Sequence, residues 1–246
     1  MPIYENLVIG NFLYALGLKI GARQHDYLAP DLAVNQIQQT PIDFVLGDVL
    51  LVGPRAVALL EFKREANWEG RRKEGDKLLK IETVLKHPKF EELRDTSRQI
   101  HFYVETSDLE EGLESRVLPY LDLRTDDRMS GLEQLIDNLA SQAMSAPALT
   151  ETDKKACQRY LKLVCRCQGR NGHSYHASPG LLVGVRGDGR IAFVTVDDIR
   201  DLQKTFAAIQ AYENKLAREI TFKLAQDIRL RHAQSISRTH RQSLTR

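Results

Sequence analysis

Two apolar runs joined by Gly53-Pro54-Arg55 constrain this chain more than any other feature. The first, Asp48-Val49-Leu50-Leu51-Val52, opens on an acid. The second, Ala56-Val57-Ala58-Leu59-Leu60, closes on Glu61-Phe62-Lys63. Short apolar runs flanking a turn signal predict a β-hairpin, and the continuous apolarity predicts that both strands are largely buried. Side chains alternate faces along a strand, so Glu61 and Lys63 emerge on one side and Phe62 on the other. A turn centred on Pro54-Arg55 sets Asp48 directly across from Glu61, roughly 5 Å away. Two carboxylates and an amine then meet at the mouth of a buried sheet, where charge without a partner is expensive.

A divalent cation is the simplest compensation. Hard cations such as Mg²⁺ take carboxylate and carbonyl oxygens, often with only one or two protein carboxylates beside a substrate phosphate. Asp48, Glu61 and the Phe62 carbonyl supply such donors. Lys63 is placed to hold or help deprotonate an attacking water and to offset charge developing on phosphorus. This is the chemistry of phosphodiester hydrolysis. A solvated surface hairpin is the plainer reading of the same residues.

At these positions the chain resembles the PD-(D/E)xK superfamily of restriction-endonuclease-like nucleases. The matching pieces are Asp48 or Asp43, Glu61 and Lys63, with an N-terminal helix carrying Glu5, and the likeness runs from the N-terminus through Ser107. The resemblance implies a mixed four-stranded sheet flanked by helices and Mg²⁺- or Mn²⁺-dependent cleavage of nucleic acid, DNA ahead of RNA. It also implies Lys63 as the catalytic lysine and Glu5 as an additional metal ligand. Two aspartates compete. Pro41-Ile42-Asp43 reads like the family signature, but pairing Asp43 with Glu61 would centre the turn on Val52, inside an apolar stretch. Register follows the turn and the buried pattern, which favours Asp48. A bulge at Gly47 would keep Asp43 within reach.

Periodicity fills in the rest. Leu7, Val8, Phe12, Leu13, Leu16 and Ile20 predict a helix over 4–20, with Glu5 in its first turn, where a carboxylate also suits the helix dipole. Residues 27–46 hold at least one strand. Asn67-Trp68-Glu69-Gly70 breaks the pattern before a charged helix over 71–86, and alternation over 99–105 predicts another strand, giving a β-β-β-α-β core. A helix around Leu132–Leu139 and a small-residue connection over 141–150 follow. We divide the chain into a nuclease-like domain over 1–145 and an α+β region over 146–246. That second region comprises a helix capped at Thr152-Asp153, a hairpin over 181–196 and a long closing helix from Asp197 to about Ala233.

Net charge is only +2, so nucleic-acid contact has to come from local patches. Arg64, Arg71, Arg72 and Lys73 crowd behind the hairpin with Trp68 available to stack on a base or ribose. Acids Glu65, Glu69, Glu74 and Asp76 interrupt the run, and a salt-bridged solvated helix explains it equally well. The tail carries Arg229, Arg231, Arg238, Arg241 and Arg246 with no acid after Asp227. That pattern suits an acidic partner or a frayed end. Cys165, Cys167, His173 and His176 have a zinc-like composition at an unusual spacing. Cys157 and Cys165 share an apolar helix face with Leu161, which reads as packing.

Three cysteines, no signal-like start and no membrane-length apolar run point to a reducing cytoplasm and to no membrane. The expectation is a metal-dependent nuclease of microbial nucleic-acid processing or antiviral defence, acting alone or as a homo-oligomer or complex subunit assembled through the C-terminal helix. The rival expectation is a non-catalytic nucleic-acid-binding or assembly subunit that keeps the fold.

Overall fold

The computed structural model describes residues 4–23, 33–36, 47–109, 112–124, 130–168, 180–185 and 191–196, with single positions between 198 and 226. Helix α1 (Glu5–Arg23) is followed by β1 (Ala33–Gln36), β2 (Val49–Val52) and β3 (Val57–Arg64). Two helices, α2 (Trp68–Leu85) and α3 (Glu91–Ile100), lead to β4 (His101–Leu109) and β5 (Gly112–Pro119). Helices α4 (Leu132–Ser145) and α5 (Glu151–Gln168) precede a separate hairpin of β6 (Gly180–Val185) and β7 (Ile191–Val196). Among the described positions beyond it, Leu202, Lys204, Ala207, Ala211, Arg218, Phe222 and Gln226 are helical. The chain is a mixed α+β protein.

The main sheet is mixed and flanked by helices, with five strands where four were expected, in the order β1-β2-β3-β4-β5. Only β3 and β4 run parallel. A parallel neighbour needs a crossover, here supplied by α2 and α3 together rather than by one helix. The extra strand β5 escaped notice because Glu114, Ser115 and Arg116 obscure its alternation. The hairpin forms as its sequence predicts: Val52 pairs with Val57 and Val49 with Leu60. Asp48 therefore falls opposite Glu61.

Each strand sorts its residues onto two faces. Val49, Leu51, Ala58, Leu60, Phe62 and Val104 pack against α1 and α4, where the Phe12 and Phe62 rings lie 5.6 Å apart. Leu50, Val52, Val57, Leu59 and Tyr103 pack on the other face with residues of α2, α3 and α5. Asp48, Glu61, Lys63 and Glu105 share that second face by alternation, so α2 lies over them.

Two local readings need correction. Residues 67–70 begin α2 rather than interrupt it: the Asn67 side chain accepts the Gly70 N–H at 3.0 Å, satisfying one of the helix's unpaired donors. Helix α5 is capped at Thr150, not at Thr152-Asp153. The Thr150 hydroxyl accepts the Asp153 N–H at 3.2 Å, and Asp153 Oδ2 accepts the Thr150 N–H at 2.9 Å. Beyond the cap, Cys157, Tyr160, Leu161, Val164 and Cys165 enter the core over α2 and α3. Burial there pushes the Cys157 thiol up to about 11, as packing rather than reactivity requires.

Candidate active site and nucleic-acid cleft

Strand pairing and a glycine bring the acids together. Gly47, with φ +127°, turns the chain into β2; a Cβ there would sit 3.1 Å from the Leu60 carbonyl and 3.2 Å from Glu61 Oε2. Its missing side chain is what lets Asp48 and Glu61 lie side by side. Asp48 Oδ2 accepts the Phe62 backbone N–H at 2.6 Å, locking the acid onto the end of the hairpin.

Lys63 fills the point where these oxygens converge. Its Nζ bonds Glu61 Oε1, donates to the Phe62 carbonyl at 2.8 Å and stands 3.7 Å from Asp48 Oδ2. Only 12% of its side chain is exposed. Burial alone would lower its pKa, but the Glu61, Asp48 and Glu74 carboxylates outweigh burial and raise it, so Lys63 is an ammonium. Burial likewise pushes Glu61 upward, and the Lys63 and Lys77 ammoniums overcome this to hold it below the usual carboxylate range.

Glu74 joins the site from α2, which the sequence reading missed. It is 1% exposed, accepts the Tyr120 hydroxyl at 2.6 Å on Oε1 and pairs with Lys77 at 3.1 Å through Oε2. Burial, then the neighbouring Glu61 charge, lifts its pKa to about 7. A signal was available: 74, 78, 81 and 85 recur at helical spacing, so Glu74 continues the buried stripe of Leu78, Ile81 and Leu85. Behind it the His101 ring stacks on Tyr120 at 3.9 Å, and His101 Nδ1 meets the Tyr160 hydroxyl at 2.7 Å. Burial drops His101 to about 3, so it is neutral.

The other expected residues are distributed as follows. Glu5 Oε1 accepts the Arg64 N–H and the Asn67 amide, both at 3.2 Å, tying α1 to the end of β3. Asp43, His173 and His176 lie outside the described residues, as does the tail beyond Gln226; Cys165 is buried in the core. Arg64 pairs with Asp108 and Lys73 with Glu69, neither in the cleft described next.

That cleft, about 610 Å³, opens beside the site, within the roughly 300–1,000 Å³ common for ligand clefts. Trp68, Arg71 and Arg72 line it from α2, joined by Arg116 and Arg124, which sequence reasoning did not single out. Glu105, beside Lys63 in the β3–β4 register, anchors Arg71 at 3.0 Å and Arg116 at 3.7 Å. Arg72 lies 6.0 Å from the centre of the Trp68 ring, which is itself 69% exposed.

Compared with known proteins, the chain matches no family model, no curated protein and no solved structure. Among the described residues, no group of three or more His, Cys, Asp or Glu side chains is arranged to hold a metal ion, and no helix is long and apolar enough to cross a membrane. The donor set around Lys63 is instead two carboxylates and a carbonyl, all hard oxygens already gathered about one cation. That chemistry fits Mg²⁺ or Mn²⁺.

Proposed function

We propose that this protein is a metal-dependent nuclease of the PD-(D/E)xK type, hydrolysing phosphodiester bonds in nucleic acid, DNA ahead of RNA. One observation carries the reading: Asp48, Glu61 and the Phe62 carbonyl converge on a single cationic point at the mouth of a buried hairpin, beside an arginine-rich cleft.

Asp48, Glu61 and the Phe62 carbonyl would hold the metal, which when bound supplies Lewis-acid activation of the phosphate and of water. Lys63, held as an ammonium, orients the attacking water and offsets charge on the phosphoryl oxygens; it does not act as the base. The water oxygen bonds to phosphorus as the bond to the leaving oxygen breaks, and the water's proton must go to a carboxylate. Glu74, whose proton affinity is matched to neutral pH, takes that proton in its ionised form beside Glu61 and gives it up to the leaving oxygen. The buried face excludes bulk water, and the cleft arginines hold the flanking phosphates. A role in microbial nucleic-acid processing or defence, alone or in a complex, follows by analogy with the family it resembles.

A second reading has its own support. The Lys63 ammonium already neutralises the acids around it, as a non-catalytic nucleic-acid-binding or assembly subunit would require. Incubating the protein with plasmid, single-stranded DNA and RNA in Mg²⁺ or Mn²⁺ separates the two. Metal-dependent cleavage supports the nuclease; binding without cleavage under every condition supports the subunit.

A further inference from the structure

The cleft beside Lys63 is shaped for a particular form of nucleic acid, an inference that rests on the nucleic-acid reading above. Asp48, Glu61 and Glu74 are each less than 5% exposed, and the cleft opens beside them through Glu105, the register neighbour of Lys63. A rigid duplex holds its phosphates on the outside of a stiff rod with its bases stacked inward. It cannot present a bare base to an indole while lowering a phosphate into a recess. A single strand can do both, because its bases are free to splay and its backbone bends.

The lining matches that ligand. Trp68 offers an open aromatic face, unusual for so large an apolar side chain, with Arg72 beside it. Arg71, Arg116 and Arg124 add guanidiniums along the wall, four arginines against the carboxylate of Glu105 in the lining and that of Glu82, which stands 3.8 Å from Arg124. Glu105 fixes Arg71 and Arg116 in place, so part of this cationic wall is ordered before any ligand arrives. An aromatic platform beside a positive groove is how single strands are held without reading their sequence.

We infer that the cleft binds single-stranded nucleic acid, stacking one base on Trp68 and seating the adjoining phosphates on Arg71, Arg72, Arg116 and Arg124, so that the strand runs toward Lys63. Trp68 is the chain's only tryptophan, which makes its fluorescence a direct reporter. The intact protein in EDTA, where metal-dependent hydrolysis is silent, is titrated with short oligothymidylate, the matching oligouridylate and a hairpin duplex of equal nucleotide content. Saturable quenching by either single strand, with the duplex at least tenfold weaker, is the expected result. Labelled-oligonucleotide anisotropy then reports Trp68→Ala and Arg72→Glu, both exposed positions, each expected to bind about tenfold more weakly. Quenching by the duplex as strong as by the single strands, no saturable quenching by any of the three, or unchanged affinity in Trp68→Ala would overturn the inference. Strands that bind in this way but are never cleaved in Mg²⁺ or Mn²⁺ would end the nuclease reading and leave this one standing. Cleavage without involvement of Trp68 would do the reverse.

Discussion

Lys63 Nζ stands 3.7 Å from Asp48 Oδ2 across the β2–β3 hairpin while also bonding Glu61, its neighbour two residues back on the same face. One ammonium thus compensates two buried carboxylates. Removing it takes from Asp48 and Glu61 the ammonium they share, and breaking a buried pair from one side costs about 3–5 kcal/mol. Lys63→Met should lose stability on that order at pH 8 in urea unfolding. The loss should shrink on acidification, as the stranded carboxylates take up protons. Mn²⁺ should raise the melting temperature of Lys63→Met more than that of the wild type, because the oxygen donors no longer have an ammonium between them. No Mn²⁺ effect on either protein would count against the donor set.

Asp48 has a second duty. Its Oδ2 accepts the Phe62 N–H at 2.6 Å in a buried setting, so Asp48→Ala orphans that donor at about 1–3 kcal/mol. Asp48→Asn keeps an acceptor there and should fold better than Asp48→Ala, while both lose metal-dependent cleavage. Asp43→Ala should retain it. Activity lost only in Asp43→Ala would transfer the aspartate's role to that residue.

Gly47 is the position where a single methyl group should be felt at the site. At φ +127° any L side chain is strained, and a Cβ would press on Leu60 O and Glu61 Oε2. Gly47→Ala should lower stability by about 1–3 kcal/mol and reduce cleavage further than that loss explains, since Glu61 must shift. Cleavage at the wild-type rate by folded Gly47→Ala would show that Glu61 placement is not critical.

Two buried groups give the metal-free protein opposing pH slopes. Glu74, facing Glu61, Lys63, Lys77 and Tyr120, has its folded pKa raised from 4.5 to about 7. The folded state therefore binds the extra proton between those values, and its contribution, complete below 4.5, is lost as pH rises through about 7. His101, packed against Tyr120 and Tyr160, is lowered from 6.5 to about 3, so its contribution is complete above 6.5 and is lost as pH falls toward 3. Between 4.5 and 6.5 the two slopes oppose each other. Glu74→Gln should expose the His101 slope, making stability climb with pH across this window more steeply than in the wild type. Chemical unfolding at several pH values in EDTA reads this directly; parallel profiles for the two proteins would remove Glu74 from the titration.

What the sequence reveals and what it hides follow from the same physics. The hairpin, its register and the Asp48–Glu61 opposition are legible because a Gly-Pro turn and continuous apolar strands admit one pairing. Glu74 is hidden because Arg71, Arg72, Lys73, Asp76 and Lys77 surround it and resemble a solvated face, although its spacing to Leu78 places it inside. Arg116 and Arg124 lie far along the chain from Trp68 and meet it only when β5 joins the sheet. Asn67-Trp68-Glu69-Gly70 looks like a break because a capping residue and a glycine resemble a loop until the Asn67 bond to Gly70 is seen.

The most direct test is a side-by-side cleavage assay in Mg²⁺ or Mn²⁺ with wild type, Glu61→Gln and Lys63→Ala, each checked for folding by circular dichroism. The account predicts metal-dependent hydrolysis by the wild type, abolished by EDTA and at least a hundredfold slower in both folded variants. Wild-type rates in folded Lys63→Ala, or a wild type that binds nucleic acid but never cuts it with either metal, would contradict it.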